Sequence, residues 1–483
     1  MNQVPIHRTQ VVLRPDSRRV LFRPFEIGDT SRIARVVGRV TQLSDEEVDQ
    51  QLDHVWSEFG QRHHRLRDFF QRRYEAVRPY LLTDATISPQ RQQLIGSYFT
   101  QEYALESAAL FNPSMVWAPD QTGLEEGQRR FIISLRATGE GHISSLCFRS
   151  GTIDEAGQIE IDKAAKFVTA PIVVPDSQYN KALFEKKLAE LELANGVAER
   201  VFAALPDQFT LDQLKEVVDN VLTKGRAYRD RWEPIAGTIL ALAKANYDVQ
   251  CEDDNDISRH CIFPYSHHET NGIEDARFVC FEDQGEQTYY ATYTAYDGRV
   301  TFPQLVETKD FSRFRINTLN GPEVQNKGMA LFPRKVNDRY AMLSRQDGEN
   351  LYLMYSDSLH FWYRKELLIR PTYPWEFIQV GNCGSPIETE AGWLVLSHGV
   401  GPMRKYSMGA YLLDLDDPSK VIGRSRVPFL VPDENEREGY VPNVVYSCGA
   451  VIHGEHLVLP YAMADYATTF ALVELKPLLE SLV

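Results

Sequence analysis

The chain has 483 residues, 43% of them hydrophobic and 25% charged, with a formal net charge of −15 at pH 7. That length exceeds one compact core and suits a large domain of roughly 300 residues with a smaller companion, and the composition leaves little room for extended disorder. The negative field excludes a general binder of nucleic acid or of anionic membranes, so an anionic ligand has to meet a local basic cluster.

Met1 to Arg19 holds no apolar run of signal-peptide length, and nowhere do about 18 apolar residues follow one another. A cytoplasmic protein is expected, with neither membrane nor nucleic acid as partner. Cys147, Cys251, Cys261, Cys280, Cys383 and Cys448 are widely spread without a C-x-x-C pair, which reads as reduced, mostly buried thiols.

The first hundred residues follow a helical period. Ser44-x-x-Glu47 is a capping-box pattern, and Val48, Leu52, Val55 and Phe59 continue it as one apolar stripe. Arg62 to Tyr80 predicts a second helix carrying Leu66, Phe70, Tyr74 and Val77. Ser88-Pro89 starts a third that runs through Tyr98 and Tyr103.

From Phe131 the pattern changes to short aromatic and β-branched runs ended by polar residues, which is how strands are written. Five runs share one form, those at 131–136, 290–294, 341–345, 394–398 and 457–461. Most are followed by a turn and a second strand, and the last four recur at roughly the length of a four-stranded blade. Five units predict a mainly β fold, a five-bladed β-propeller. The long gap after the first unit holds a helical insertion with Phe184, Leu188 and Leu191 in helical step and a second capping box at Thr210-x-x-Gln213. These helices and those at the start are expected to form one α-helical subdomain. The predicted boundaries are 1–108 for the N-terminal helical region, 109–178 for the start of the propeller, 179–246 for the insertion and 247–483 for the remaining blades.

In such a fold strand ends far apart in sequence converge on one mouth, which brings Arg136, Arg345 and His398 toward a common pocket. Just before the second unit lies His267-His268-Glu269-Thr270-Asn271-Gly272-Ile273-Glu274-Asp275-Ala276-Arg277, the densest ionic cluster near that mouth. A carboxylic acid beside an arginine and a second carboxylate can have its protonation tuned for general acid work on a glycosidic oxygen. Taken alone, Glu-Asp-x-Arg is a weak signal, since three neighbouring charges usually form a solvated turn. Adjacent His267 and His268 lack a third ligand at a recognisable spacing, so no metal and no cofactor is expected.

Gly272 to Arg277 resembles the Gly-x-Glu-Asp-Pro-Arg motif of glycoside hydrolase family 130, the mannoside phosphorylases and β-mannosidases. Phe111-Asn112-Pro113, Ser134-Leu135-Arg136, Tyr293-Thr294-Ala295-Tyr296-Asp297, Leu343-Ser344-Arg345, Gly392 to Val400, Tyr411 to Pro418 and Tyr461-Ala462-Met463-Ala464-Asp465 are similar to further family segments, in family order. The resemblance spans roughly residues 110–175 and 250–475 and itself implies a five-bladed propeller. It implies Asp275 as general acid, with Asn112, Arg136, Glu274, Arg277, Tyr296 and Asp465 binding the mannosyl unit. It also implies Arg345, His398 and Tyr406 around inorganic phosphate, the co-substrate, where a cationic fork beside an imidazole suits a dianion.

The expected reaction is inverting phosphorolysis of a β-mannoside oligosaccharide to α-mannose 1-phosphate, for which phosphate needs no general base. The alternatives are an inverting β-mannosidase, with Glu323 or Glu376 activating water, and an inactive carbohydrate-binding propeller. Three residues depart from the family pattern. Ala276 replaces the motif's proline, Ser397 stands where tyrosine often precedes the histidine, and Gln379 occupies a position where many phosphorylases carry lysine. Trp375, Phe377 and Tyr373 are candidates to stack on an acceptor sugar. The helical segments are expected to act as a lid or as a homo-oligomer contact.

Overall fold

The computed structural model describes residues 4–63, 65–81, 83, 85–169, 171–174, 177–194, 196–225, 228–251 and 256–482. The protein is mainly β. Among the described residues five antiparallel sheets of four to six strands follow one another along the chain. Sheet I runs Ala109–Trp117, Arg129–Thr138, Ser144–Ile153 and Cys261–Ile262, with Ile159–Ile161 also paired to its third strand. Sheet II runs Ile273–Asp283, Glu286–Tyr296, Thr301–Thr308 and Arg313–Thr318, extended by Tyr247–Gln250 and Ile172–Val173. Sheet III is Lys327–Leu331, Tyr340–Arg345, Leu351–Ser356 and Lys365–Ile369. Sheet IV is Gln379–Asn382, Gly392–Val400, Tyr406–Leu413 and Val421–Arg424, with Ile387–Thr389 beside its second strand. Sheet V is Val445–Tyr446, His456–Met463, Ala467–Glu474 and the N-terminal Ile6–Leu13, with Val451–His453 beside its second strand.

The five recurrent runs of the sequence are the second strands of these sheets. They are apolar on both faces because each is sandwiched between neighbours; all nine residues of Gly392–Val400 are buried. Apolar side chains from consecutive sheets share a core layer. Sheets I and II meet around Phe148 and Phe278, II and III around Phe281 and Met342, and III and IV around Phe332 and Trp393. Sheets IV and V meet around Leu396 and Leu459. The fifth layer returns from V to I through Phe470 and Phe131.

The first strands carry the same cyclic order in hydrogen bonds. Phe278 N donates to Ser114 Oγ at 2.9 Å, Asn382 Nδ2 to Gly328 O at 2.8 Å and Cys448 N to Pro113 O at 2.7 Å. Gly384, at φ 104°, lets the loops of sheets IV and V approach, since a Cβ there would lie 2.4 Å from Cys448 O.

A buried glutamate precedes the first strand of four sheets and closes the loop that leads into it. Glu106 takes Arg19 and Arg149 at 2.8 and 2.7 Å. Glu269 accepts from the hydroxyls of Tyr247 and Tyr293 and from the backbone N–H of Tyr265 and Ser266. Glu376 accepts from Thr372 N, Tyr373 N, Tyr411 and Arg424, and Glu436 from Asp433 N, Tyr461 and Arg8. Burying a carboxylate is tolerated only with such partners, although Oε2 of Glu106 has none, both of its arginines binding Oε1.

The helices differ from expectation in three ways. The capping boxes at Ser44 and Thr210 form with both reciprocal bonds, opening Asp45–Phe59 and Leu211–Lys224. The second N-terminal helix, however, begins only at Leu66, because Arg65 adopts φ 53°; residue 64 lies outside the described residues. The third spans Pro89–Tyr98, and Tyr103 belongs instead to Thr100–Ala104, a strand paired with Val20–Pro24. Finally, the start and the insertion bury their stripes in two separate clusters, one around Phe99 and Tyr74 and the other around Phe184, Phe202 and Leu214, rather than in one subdomain. None of the six cysteines, all among the described residues, is in a disulfide; five are buried and Cys280 is half-buried. No described helix is long and apolar enough to cross a membrane.

Candidate active site

The first strands of sheets I, II and III each break register near their start, between Phe111 and Ser114, Glu274 and Arg277, and Lys327 and Ala330. Such bulges re-aim a side chain out of the pleat. Asn112 and Asp275 sit in these bulges at φ 49° and 54°, and Asp465 turns the end of a sheet V strand at φ 49°. Left-handed backbone is uncommon for residues other than glycine and concentrates at functional sites, with Asn and Asp the best suited to it.

Asn112 and Asp275 meet, and Asp465 lies within electrostatic reach of Asp275. Asn112 Nδ2 donates to Asp275 Oδ1 at 2.6 Å, and Arg136, standing beside the bulge of sheet I, reaches Asp275 Oδ1 at 3.4 Å and Glu274 Oε1 at 2.9 Å. Lys327 closes the other side of Glu274, Nζ to Oε2 at 2.7 Å. Asp275 keeps 15% of its side chain accessible, so it lies deep but within reach of a ligand.

The second half of the site is cationic. Arg345 lies opposite Lys327 in sheet III, and His398 lies opposite Gly381 in sheet IV. Arg345 Nη1 and His398 Nε2 are 3.2 Å apart. Tyr406 stacks on the imidazole at 5.7 Å, and Tyr446, which holds the Arg277 guanidinium, meets it edge-on at 5.0 Å. Glycine is required at 381, since a Cβ there would approach His398 Cε1 to 2.5 Å and Arg345 Cδ to 3.3 Å. Gln379 belongs to this group: with its amide oxygen turned toward Arg345 it accepts from Nη1 at 2.8 Å.

Electrostatics joins the halves. Burial would push the Asp275 carboxyl up, but Arg136, Arg277, Lys327 and the Asn112 amide outweigh it and hold it below the usual carboxylate range. Burial, then Arg345 and Arg277, drive His398 well below the ordinary imidazole value, so it is neutral. Asp465 is pushed up to about 6, first by burial and then by Asp275, against Arg136 and Arg404. Buried polar atoms without a protein partner gather here: Asn112 Oδ1, Arg277 Nε, Arg345 Nε and Asn382 Oδ1. Orphaned donors and acceptors at one place are what a hydroxylated and anionic ligand would satisfy.

The Asp465 shift has a stability consequence. A carboxyl with a folded pKa above its unfolded value holds its proton longer in the folded state, so it destabilises the fold progressively as pH rises from about 4 to about 6. Asp465→Asn is therefore expected to exceed the parent in stability at pH 7 by on the order of 2 kcal/mol. The two should converge below pH 4. Denaturant unfolding at both pH values checks this, and equal stabilities at pH 7 would contradict it.

Of the residues anticipated from sequence, Asn112, Arg136, Glu274, Asp275, Arg277, Asp465, Arg345, His398 and Tyr406 come together. Tyr296 does not join them by any contact seen here; its hydroxyl donates to Gly298 O in its own turn at 2.9 Å. Glu376 is not a water-activating base, being fully buried and saturated by four partners. Glu323 is ion-paired to Lys365 at 2.6 Å. Trp375 is framework, packed beneath Gly399, Gly401 and Gly409, whereas Phe377 is 61% exposed. Lys327, Asn382 and Tyr446 were not foreseen. Nothing in the triplet Asn326-Lys327-Gly328 distinguishes its lysine from a solvated one, although Asn326 and Gly328 at φ 63° and 84° mark a special turn.

Paired carboxylates ringed by cations, beside a guanidinium and a neutral imidazole, are the equipment of an enzyme acting on glycosidic bonds. The family model of glycoside hydrolase family 130, described as beta-1,4-mannooligosaccharide phosphorylase, matches residues 227–482, and the chain belongs to that family. It is 36% identical over 216 residues to a 1,2-beta-oligomannan phosphorylase of Thermoanaerobacter sp. (strain X514), covering 43% of this chain and 70% of that protein. It is 35% identical over 213 residues to a beta-1,2-mannobiose phosphorylase of Listeria innocua serovar 6a, covering 42% of this chain and 58% of the relative. The solved structure of a beta-1,2-mannobiose phosphorylase from Listeria innocua in complex with beta-1,2-mannobiose aligns with a TM-score of 0.48 at 19% identity, over 78% of this chain and 92% of that one.

Proposed function

We propose that the protein is an inverting β-mannoside phosphorylase built on a five-bladed β-propeller, with Asp275 as general acid. The five sheets and the core layers that run once round them support the propeller reading. The observation that carries the activity is the Arg345–His398 pair, 3.2 Å apart and within the electrostatic reach of Asp275. Phosphate held there attacks the anomeric carbon while the glycosidic C–O bond breaks. The leaving oxygen takes a proton that originates on Asp275, handed on through a sugar hydroxyl, and the products are α-mannose 1-phosphate and a shortened acceptor. Asn112, Arg136, Glu274 and Asp465 hold the mannosyl hydroxyls.

Two features support phosphate over water. Arg136, Arg277, Lys327 and Arg345 face Glu274, Asp275 and Asp465, a cationic excess suited to an incoming dianion. Glu376 is buried among four partners and Glu323 is ion-paired to Lys365, which supports a nucleophile that needs no base. Its cationic neighbours hold Asp275 ionised, and a bound dianion would raise its affinity for a proton, so phosphate binding is expected to bring proton uptake. Product analysis of β-mannobiose incubated with phosphate tests the reading. The expected products are α-mannose 1-phosphate and mannose in equal amounts, and two equivalents of free mannose with no sugar phosphate would overturn it.

A further inference from the structure

A second cavity lies where the insertion helix Arg229–Lys244 faces sheet II. Its volume is about 620 Å³, inside the range of small-molecule sites, roughly 300–1,000 Å³. It opens at the same end of the sheet as Asp275, because strands Glu286–Tyr296 and Thr301–Thr308 pair in antiparallel register with Tyr296 opposite Thr301, beside Ile273 opposite Ala295. Val324 on its wall is three residues from Lys327, the partner of Glu274.

Its chemistry is mixed in a particular way. Phe302 and Tyr363 give aromatic surface, Tyr363 being 41% exposed. Gln304 is 1% exposed, yet its amide oxygen has no partner, and His268, stacked on Phe302 at 4.1 Å, has an unpartnered buried Nδ1. Burial and His267 lower the basicity of that ring, so the neutral form offers Nδ1 as either donor or acceptor. A purely apolar occupant would leave both atoms unsatisfied, at a cost for each. A pyranose chain has apolar ring faces for the aromatic surface and hydroxyls for the orphaned atoms.

We infer that this cavity binds the part of a manno-oligosaccharide beyond the scissile bond, making the insertion a determinant of chain-length preference. The inference rests on the β-mannoside reading of the Asp275 site. Ala241 is exposed on the helix and lines the cavity, so Ala241→Trp plugs it from the solvent side without disturbing the core. Thr238→Trp, one turn earlier, is an independent plug.

The experiment measures calorimetric binding of β-1,2- and β-1,4-mannotetraose to the parent and to both plugged variants, together with KM for tetraose and for mannobiose. The preference for tetraose over mannobiose is expected to fall about tenfold in each variant, in affinity and in KM alike. Tetraose bound equally by parent and plugged proteins, or not bound by the parent, would overturn the inference. If the parent cleaves no mannoside but its tetraose binding falls with the plugs, the catalytic reading fails and the cavity assignment stands. Turnover of mannobiose with plug-independent tetraose binding gives the reverse.

Discussion

Asp275→Asn is expected to lower kcat on mannobiose by about 10²–10⁴-fold, the range that general acid catalysis supplies. Two structural facts make this variant informative. Asparagine tolerates the φ of 54° that residue 275 adopts, so the bulge survives. The neighbours Arg136, Glu274 and Lys327 remain paired with one another, so the sugar cradle persists and calorimetric binding of mannobiose should be retained. An aryl mannoside whose leaving group needs no proton should lose far less than mannobiose does. A kcat within tenfold of the parent on mannobiose, or an equal loss on both substrates, would remove Asp275 from the role of acid.

Arg345→Ala is the second large effect. The side chain is held by His398 at 3.2 Å and the Gln379 amide, and its Nε is left without a protein partner. Truncating one member of a buried charge-assisted contact costs about 2–5 kcal/mol, which here should appear as a fall in kcat/KM for phosphate of roughly 30- to 5,000-fold. Mannobiose affinity in the absence of phosphate should change little, since the side chains proposed to hold the sugar lie on sheets I, II and V. Arg345→Lys keeps a charge without the planar fork and should recover only part of the loss. Titrating initial rate against phosphate and against mannobiose separately checks both statements. An unchanged phosphate dependence would contradict the assignment.

Local chemistry was legible where it is self-contained. The capping boxes at Ser44 and Thr210 determine their helix starts within four residues, and both form as the pattern requires. The five recurrent runs are strands because burial on both faces needs continuous apolar residues, but the sequence does not say which strand of a sheet they are. The structure puts them second. First strands are harder to see: those of sheets I, II and III are interrupted by bulges at Asn112, Asp275 and Gly328, where the apolar alternation fails, and those of sheets IV and V have only four and two residues.

Non-local pairing explains the other misses. Ile6–Leu13 carries only a weak pattern of its own and becomes a strand by pairing with Ala467–Glu474, more than 450 residues away. Lys327 looks like a surface lysine until sheet III brings it to Glu274. Glu106, Glu269, Glu376 and Glu436 are single acidic letters whose burial depends on tyrosines and arginines supplied from other strands. The site residues were accessible mainly through ordered resemblance to a family, because the packing of successive sheets brings toward one site residues separated by up to 353 positions between Asn112 and Asp465.

The central claim is that phosphate, not water, is the attacking group, and the initial rate of mannobiose cleavage as a function of phosphate concentration tests it most directly. The rate should rise hyperbolically from near zero, with the curve displaced to higher phosphate in Arg345→Ala. Cleavage at full rate in phosphate-free buffer, indifferent to added phosphate, would contradict the account.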